Sequence, residues 1–154
     1  MMEFIDTHAH IDGEEFDLDR NEMVARARDA GAKAILVPAI NMEGLENMRS
    51  VVKSYPGFAY AMIGLHPEDV RSDWREVIAE MRRIQETSPS EFIAIGEVGL
   101  DFYWSREYEH EQLECFEEQV RWAIEVRLPL VIHCRKAQNE LVAILKKYRS
   151  QLCG

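Results

Sequence analysis

Five short apolar runs alternate with five amphipathic stretches along this chain, and that alternation constrains its fold more than any other feature. The runs are Phe4–Ala9, Ala34–Ile40, Phe58–Leu65, Phe92–Val98 and Leu130–Cys134. None alternates polar with apolar, so each reads as a parallel strand covered on both faces. Between them the period changes to that of a helix. From about Asp19 to Ala30, Met23, Val24 and Ala27 recur at helical spacing, and Gly31 supplies a stop. Asn41 caps the second helix, with Pro56 just past its end. Asp73 followed by Glu76 reads as a capping box for the third, whose inward stripe is Val77, Met81 and Ile84. The longest helix runs from about Glu107 to Val126 and presents Leu113, Phe116, Val120, Ala123 and Ile124. The last covers about Ala137 to Tyr148 and turns Leu141, Ile144 and Leu145 inward. Strict alternation of this kind predicts an α/β fold with a parallel sheet and right-handed crossovers. No Pro/Gly/Ser-rich linker interrupts it, so residues 1–154 read as a single domain. With 47% hydrophobic residues, the chain has enough apolar surface for a core.

Composition narrows the function classes. No apolar run approaches the ~20 residues that a membrane-spanning helix needs. The start, Met1-Met2-Glu3-Phe4-Ile5-Asp6, lacks the basic and apolar regions of a secretory signal. Cys115, Cys134 and Cys153 are scattered and odd in number, which predicts free thiols and a cytoplasmic, reducing setting. The formal net charge of −10 argues against a broad electrostatic grip on nucleic acid. A phosphate substrate held by bound metal ions remains compatible with it.

Reactive residues in parallel α/β folds gather where strands end and loops begin. The first strand ends in Asp6-Thr7-His8-Ala9-His10 and the third in Gly64-Leu65-His66-Pro67. The fourth ends in Gly96-Glu97-Val98-Gly99-Leu100-Asp101 and the fifth in Ile132-His133-Cys134-Arg135. Four of the five histidines fall at such ends; His110, in the charged start of a helix, reads as solvated. His8 and His10, two residues apart on a strand, point to one face and make half of a metal site. Glu97 can offer two oxygens, and His133 a further nitrogen from a neighbouring strand. Each also has a plainer reading: Glu97 as a helix cap, His133 as a core histidine, His66 as the anchor of a turn. Their agreement across independent strands points to a metal centre. A His/carboxylate set suits Zn²⁺, Mn²⁺, Co²⁺ or Ni²⁺ and, less well, Mg²⁺. Arg135 reads as a phosphate contact or a surface ion pair. Asp101 reads as a carboxylate holding a ligand histidine or as a loop cap, and both are grouped with the substrate side of the site. The cluster Phe102-Tyr103-Trp104 either lines the mouth or covers the rim.

Taken together, Asp6-Thr7-His8-Ala9-His10-Ile11-Asp12, Gly64-Leu65-His66-Pro67, Ile95-Gly96-Glu97-Val98-Gly99-Leu100-Asp101 and Pro129-Leu130-Val131-Ile132-His133-Cys134-Arg135 resemble the motifs of the TatD family of metal-dependent hydrolases. The resemblance runs from Glu3 to about Cys153. It implies a TIM-type (β/α)₈ barrel of the amidohydrolase kind, with two divalent ions at the strand ends. It also implies metal-dependent hydrolysis of phosphodiesters in DNA, including 3′→5′ exonuclease action. By the match, His8 and His10 bind the first ion, Glu97 bridges both and His133 binds the second. His66 lies beside them as a catalytic residue that contacts substrate or orders the ligands. Family barrels run to roughly 250 residues. The resemblance further implies a metal-binding His on the sixth strand and an Asp on the eighth, neither within these 154 residues. The expectation is therefore a C-terminally truncated chain holding the first five βα units. Its two open sheet edges would favour self-association. The alternatives are an inactive or metal-binding-only fragment, or an amidohydrolase acting on an amide or ester. Glu97, where many such relatives place a modified Lys, favours the TatD-like branch.

Overall fold

A computed structural model describes residues 2–154. The apolar runs become strands β1 (Phe4–Asp6), β2 (Ala32–Pro38), β3 (Ala59–Ile63), β4 (Phe92–Asp101) and β5 (Leu130–Arg135). The amphipathic stretches become helices α1 (Arg20–Asp29), α2 (Met42–Lys53), α3 (Trp74–Thr87), α4 (Glu109–Val126) and α5 (Gln138–Tyr148). Two 3-10 turns, Glu14–Phe16 and Pro67–Asp69, lie in the connections after β1 and β3. Every strand pairs in parallel with its chain neighbour, in the order β1-β2-β3-β4-β5. Because sheet order follows chain order, each right-handed crossover steps the same way and leaves its helix on the same face. The result is a curled half-barrel with helices outside.

Burial follows position in the sheet. β3 and β4 are buried almost throughout, and Ala61, Met62, Ile63, Ile95, Val98 and Leu100 are fully covered. The outer strands are open: Ile5 on β1 is 58% exposed and Ile132 on β5 is 38% exposed. The helices bury Leu45, Met48, Ile78, Met81, Phe116, Val120 and Ile144 against the sheet. Among the described residues no helix is long and apolar enough to cross a membrane. The three cysteines are free, as expected.

Two expectations need correction. Asp73 precedes α3, but its side chain makes no capping bond. With ψ at 11° rather than extended, its side chain is not set for the capping-box bond; its backbone carbonyl accepts from the Glu76 and Val77 amides instead. By contrast Asn41 caps α2 as expected, its side chain accepting from the Gly44 amide at 3.0 Å. The second correction concerns β4, which continues to Asp101 rather than stopping at Val98. Pairing with β5 extends it, Gly99 lying opposite His133 and Asp101 opposite Arg135. Gly99 has φ +146°, and a Cβ there would meet the His133 carbonyl oxygen at 1.9 Å. Only glycine lets the two backbones approach so closely.

Candidate metal centre

Four histidines and one glutamate meet where the strands end. β1 stops at Asp6, earlier than its apolar run suggested, so His8 and His10 lie just beyond it. The segment still pairs with β2, the Ala9 amide donating to the Leu36 carbonyl at 3.1 Å. Alternate residues of an extended chain share a face, and here the two ring Nε2 atoms come within 3.2 Å. Glu97 projects from the middle of β4 and is only 7% exposed. Its amide donates to the Ala39 carbonyl, and the His66 amide to the Ile40 carbonyl, which pins both residues to the end of β2.

The Glu97 carboxylate divides between two histidine pairs. Oε2 lies 3.1 Å from His8 Nε2 and 3.7 Å from His10 Nε2. Oε1 lies 3.3 Å from His133 Nδ1 and 3.8 Å from His66 Nε2. Burial alone would raise the Glu97 carboxyl. The His10 and His133 rings, with the charges of His66 and His8, outweigh it and hold Glu97 well below the usual carboxylate range. In return Glu97 raises His10 and His133, against the opposing effect of burial. His66 moves the other way, because burial disfavours its charged form.

Hydrogen bonds assign distinct roles to the rings. His66 Nδ1 accepts from the Glu68 amide at 3.2 Å, so in the neutral ring the proton sits on Nε2. His66 thus presents a donor, not a lone pair, to the centre. His133 Nε2 meets Asp101 Oδ2 at 2.8 Å, which leaves Nδ1 facing Glu97. Asp101 is 2% exposed, and its other oxygen accepts from the Tyr103 amide at 2.8 Å. It therefore faces His133 and the turn after β4. A buried carboxylate behind a histidine is the usual means of fixing a metal-binding ring.

This donor set fits divalent cations. His8, His10 and Glu97 form one group of converging donor atoms, and His66, Glu97 and His133 a second, each within 4.8 Å. Ring nitrogens and a carboxylate oxygen crowded this closely repel unless a proton or cation sits among them. His8 Nε2, His10 Nε2, His133 Nδ1 and both Glu97 oxygens point inward, and the deprotonated rings would offer lone pairs to a cation there.

Two positioning residues escaped the sequence reading. Gln119 on α4 grips the Leu65 backbone next to His66, Oε1 accepting from the amide at 2.8 Å and Nε2 donating to the carbonyl at 3.1 Å. Gln112, two turns earlier, accepts from the Asp101 amide at 2.9 Å. Both are buried. Their signal is spacing: seven residues apart, on the apolar face shared with Cys115, Phe116 and Ala123. The other candidates divide. His110 is exposed, as expected, and also lies 3.3 Å from Glu114. Phe102 is buried, whereas Tyr103 and Trp104 are exposed, with the Arg135 guanidinium 3.7 Å from the Tyr103 ring centre.

The chain matches the family model described as TatD related DNase over residues 5–154. It is 34% identical over 149 residues to the uncharacterized metal-dependent hydrolase YabD of Bacillus subtilis, covering 97% of this chain and 57% of the relative. It is 32% identical to a 3′-5′ ssDNA/RNA exonuclease TatD of a Pantoea species, covering 56% of that protein. Among solved structures it superposes on the TatD homologue YJJV of Escherichia coli with a TM-score of 0.84 and 32% identity, over 94% of this chain and 56% of the other. A hydrolase TatD family protein of Entamoeba histolytica shares the fold, with a TM-score of 0.81 at 20% identity, over 97% of this chain and 55% of the other. The chain thus spans about half the length of the relatives it matches, and it belongs to the TatD related DNase family.

Proposed function

We propose that this chain carries a two-ion centre for hydrolysing phosphodiester bonds in nucleic acid, releasing nucleotides from the 3′ end of a single strand. The observation that carries the reading is the split of Glu97, one oxygen toward His8 and His10 and the other toward His133 and His66. The exonuclease names on relatives such as the Pantoea protein support the substrate class.

His8 and His10 would hold one ion, His133 the other, and Glu97 both. Divalent ions there supply the positive charge that a phosphodiester needs in order to be attacked by water. The chain's own residues do the rest. Asp101 keeps the His133 ring turned so that Nδ1 faces Glu97. His66, neutral near pH 7 and protonated on Nε2, donates a hydrogen bond to a phosphoryl oxygen. Gln119 fixes the height of His66 by holding the preceding backbone. Arg135, at the mouth, contacts a neighbouring phosphate.

The test uses a single-stranded oligonucleotide labelled at its 5′ end, incubated with the 154-residue chain and Mn²⁺ or Zn²⁺. The expected products are a ladder shortened from the 3′ end, formed by this chain alone far more slowly than by a full-length relative, absent with chelator and absent in Glu97→Gln. Products that form equally well with chelator, or a rate from this chain alone equal to that of a full-length relative, contradict the proposal.

A further inference from the structure

We infer that Tyr103 and Trp104, with Arg135 laid across them, form a stacking platform for the nucleobase next to the phosphate at Glu97. The inference rests on the nucleic-acid reading above and adds a base-binding subsite to it. Its starting point is an unequal trio. Phe102 turns into the core, but Tyr103 is 48% and Trp104 68% exposed. Neither exposed ring packs into the core, and each turns a large apolar face toward solvent.

The exposed pair is ordered. The rings meet edge to face, 4.7 Å between centres. The Arg135 guanidinium lies 3.7 Å from the Tyr103 centre and 5.0 Å from the Trp104 centre. Among the described residues it has no carboxylate partner, so its N–H groups stay available while its face is stacked. Position ties this platform to the candidate centre. Asp101 accepts from the Tyr103 amide with one oxygen and meets His133 with the other. Arg135 follows His133 by two residues on the same strand. Alongside lies a cavity of about 540 Å³ lined in part by Asp101, Trp104, Ser105, Arg71 and Tyr108. That volume is within the range of small-ligand sites.

Charge favours such a platform. A chain of net charge −10 gains little from long-range attraction to a polyanion. Base stacking supplies affinity without it, and tolerates any sequence because every base has a π-face.

The experiment measures binding by the fluorescence anisotropy of a dye-labelled strand, which also reads the Trp104 variants, with tryptophan quenching as a second readout in the unaltered chain. Trp74 and Trp122 are buried, so Trp104 is the tryptophan a ligand can reach. The probes are a short phosphorothioate thymidine oligonucleotide, resistant to hydrolysis, and an abasic oligonucleotide with the same backbone, both with Mn²⁺. We expect the base-bearing strand to bind about tenfold more tightly and to quench the emission. In Trp104→Ala that advantage disappears, and in Trp104→Phe most of it is kept. Equal binding of the two strands by the unaltered chain overturns the platform but leaves the phosphodiester reading standing. Binding of neither strand overturns both.

Discussion

The two donor groups that share Glu97 differ in how firmly the protein holds them. His66 and His133 come from the buried middle of the sheet and its β5 neighbour, and each ring has a partner on its far side. The Glu68 amide fixes His66, and Asp101 fixes His133, with Gln119 and Gln112 bracing the backbones. His8 and His10 hang from a three-residue edge strand. Their side chains are 38% and 34% exposed, and His10 Nδ1 is buried with no hydrogen-bond partner. Within these residues one group is braced from behind, and the other meets mainly the carboxylate it shares. Support from behind, more than the identity of the ligands, separates them.

The largest break in this comparison is Glu97→Gln. It removes the charge common to both groups, and we expect metal affinity measured by calorimetry to fall about a hundredfold or more at each. Loss at one group alone would mean that Glu97 is not shared. Asp101→Asn comes next. It frees His133 while leaving His8 and His10 untouched, so one binding event should weaken by about 10- to 100-fold and the other persist. Equal weakening of both would contradict the division.

Acid should act more gently. His10 and His133 hold protons more tightly in the folded, metal-free chain than the ordinary value of 6.5, chiefly because of Glu97. Raised values of this kind stabilise the metal-free fold below pH 6.5 and lose that contribution as pH rises through them. Cations need the deprotonated rings, so the trend for binding is opposite. Affinity should drop by about tenfold from near pH 8 to near pH 6, with protons released in calorimetry. Binding independent of pH over that range would remove these rings from the ligand set.

Gln119→Leu is the smallest change. It leaves the Leu65 amide and carbonyl buried without partners, at about 1–3 kcal/mol in denaturant unfolding. Affinity at the His133 side should shift only a few-fold. A variant as stable as the unaltered chain would show that Gln119 does not brace this loop.

What the sequence reveals follows the same line between local and distant causes. Buried parallel strands must be apolar on both faces, so runs such as Phe58–Leu65 are visible as unbroken hydrophobic stretches. His8, His10, Glu97 and His133 stand out because polar groups at the ends of such runs have no packing role to explain them. The true end of β4 does not stand out. Gly96, Glu97 and Gly99 interrupt its apolar pattern, and only pairing with β5 keeps the strand going to Asp101. The Asp73 capping box looked sound on spacing, yet backbone dihedrals decided against it. Gln112 and Gln119 are polar residues on the apolar face of a charged helix, and their spacing alone does not name their partners, the backbones of Asp101 at the end of β4 and of Leu65 after β3. The half-barrel's open edges at Ile5 and Ile132 depend on which strands are neighbours; no local pattern reports that, and the expectation of two open edges rests on the family resemblance instead.

The most direct test of the shared carboxylate is the number of Mn²⁺ ions bound per chain, counted by native mass spectrometry. We expect two on the unaltered chain, one on the His8→Ala, His10→Ala double variant and none on Glu97→Gln. A double variant that loses both ions, or a Glu97→Gln chain that keeps one, would contradict two sites joined through Glu97.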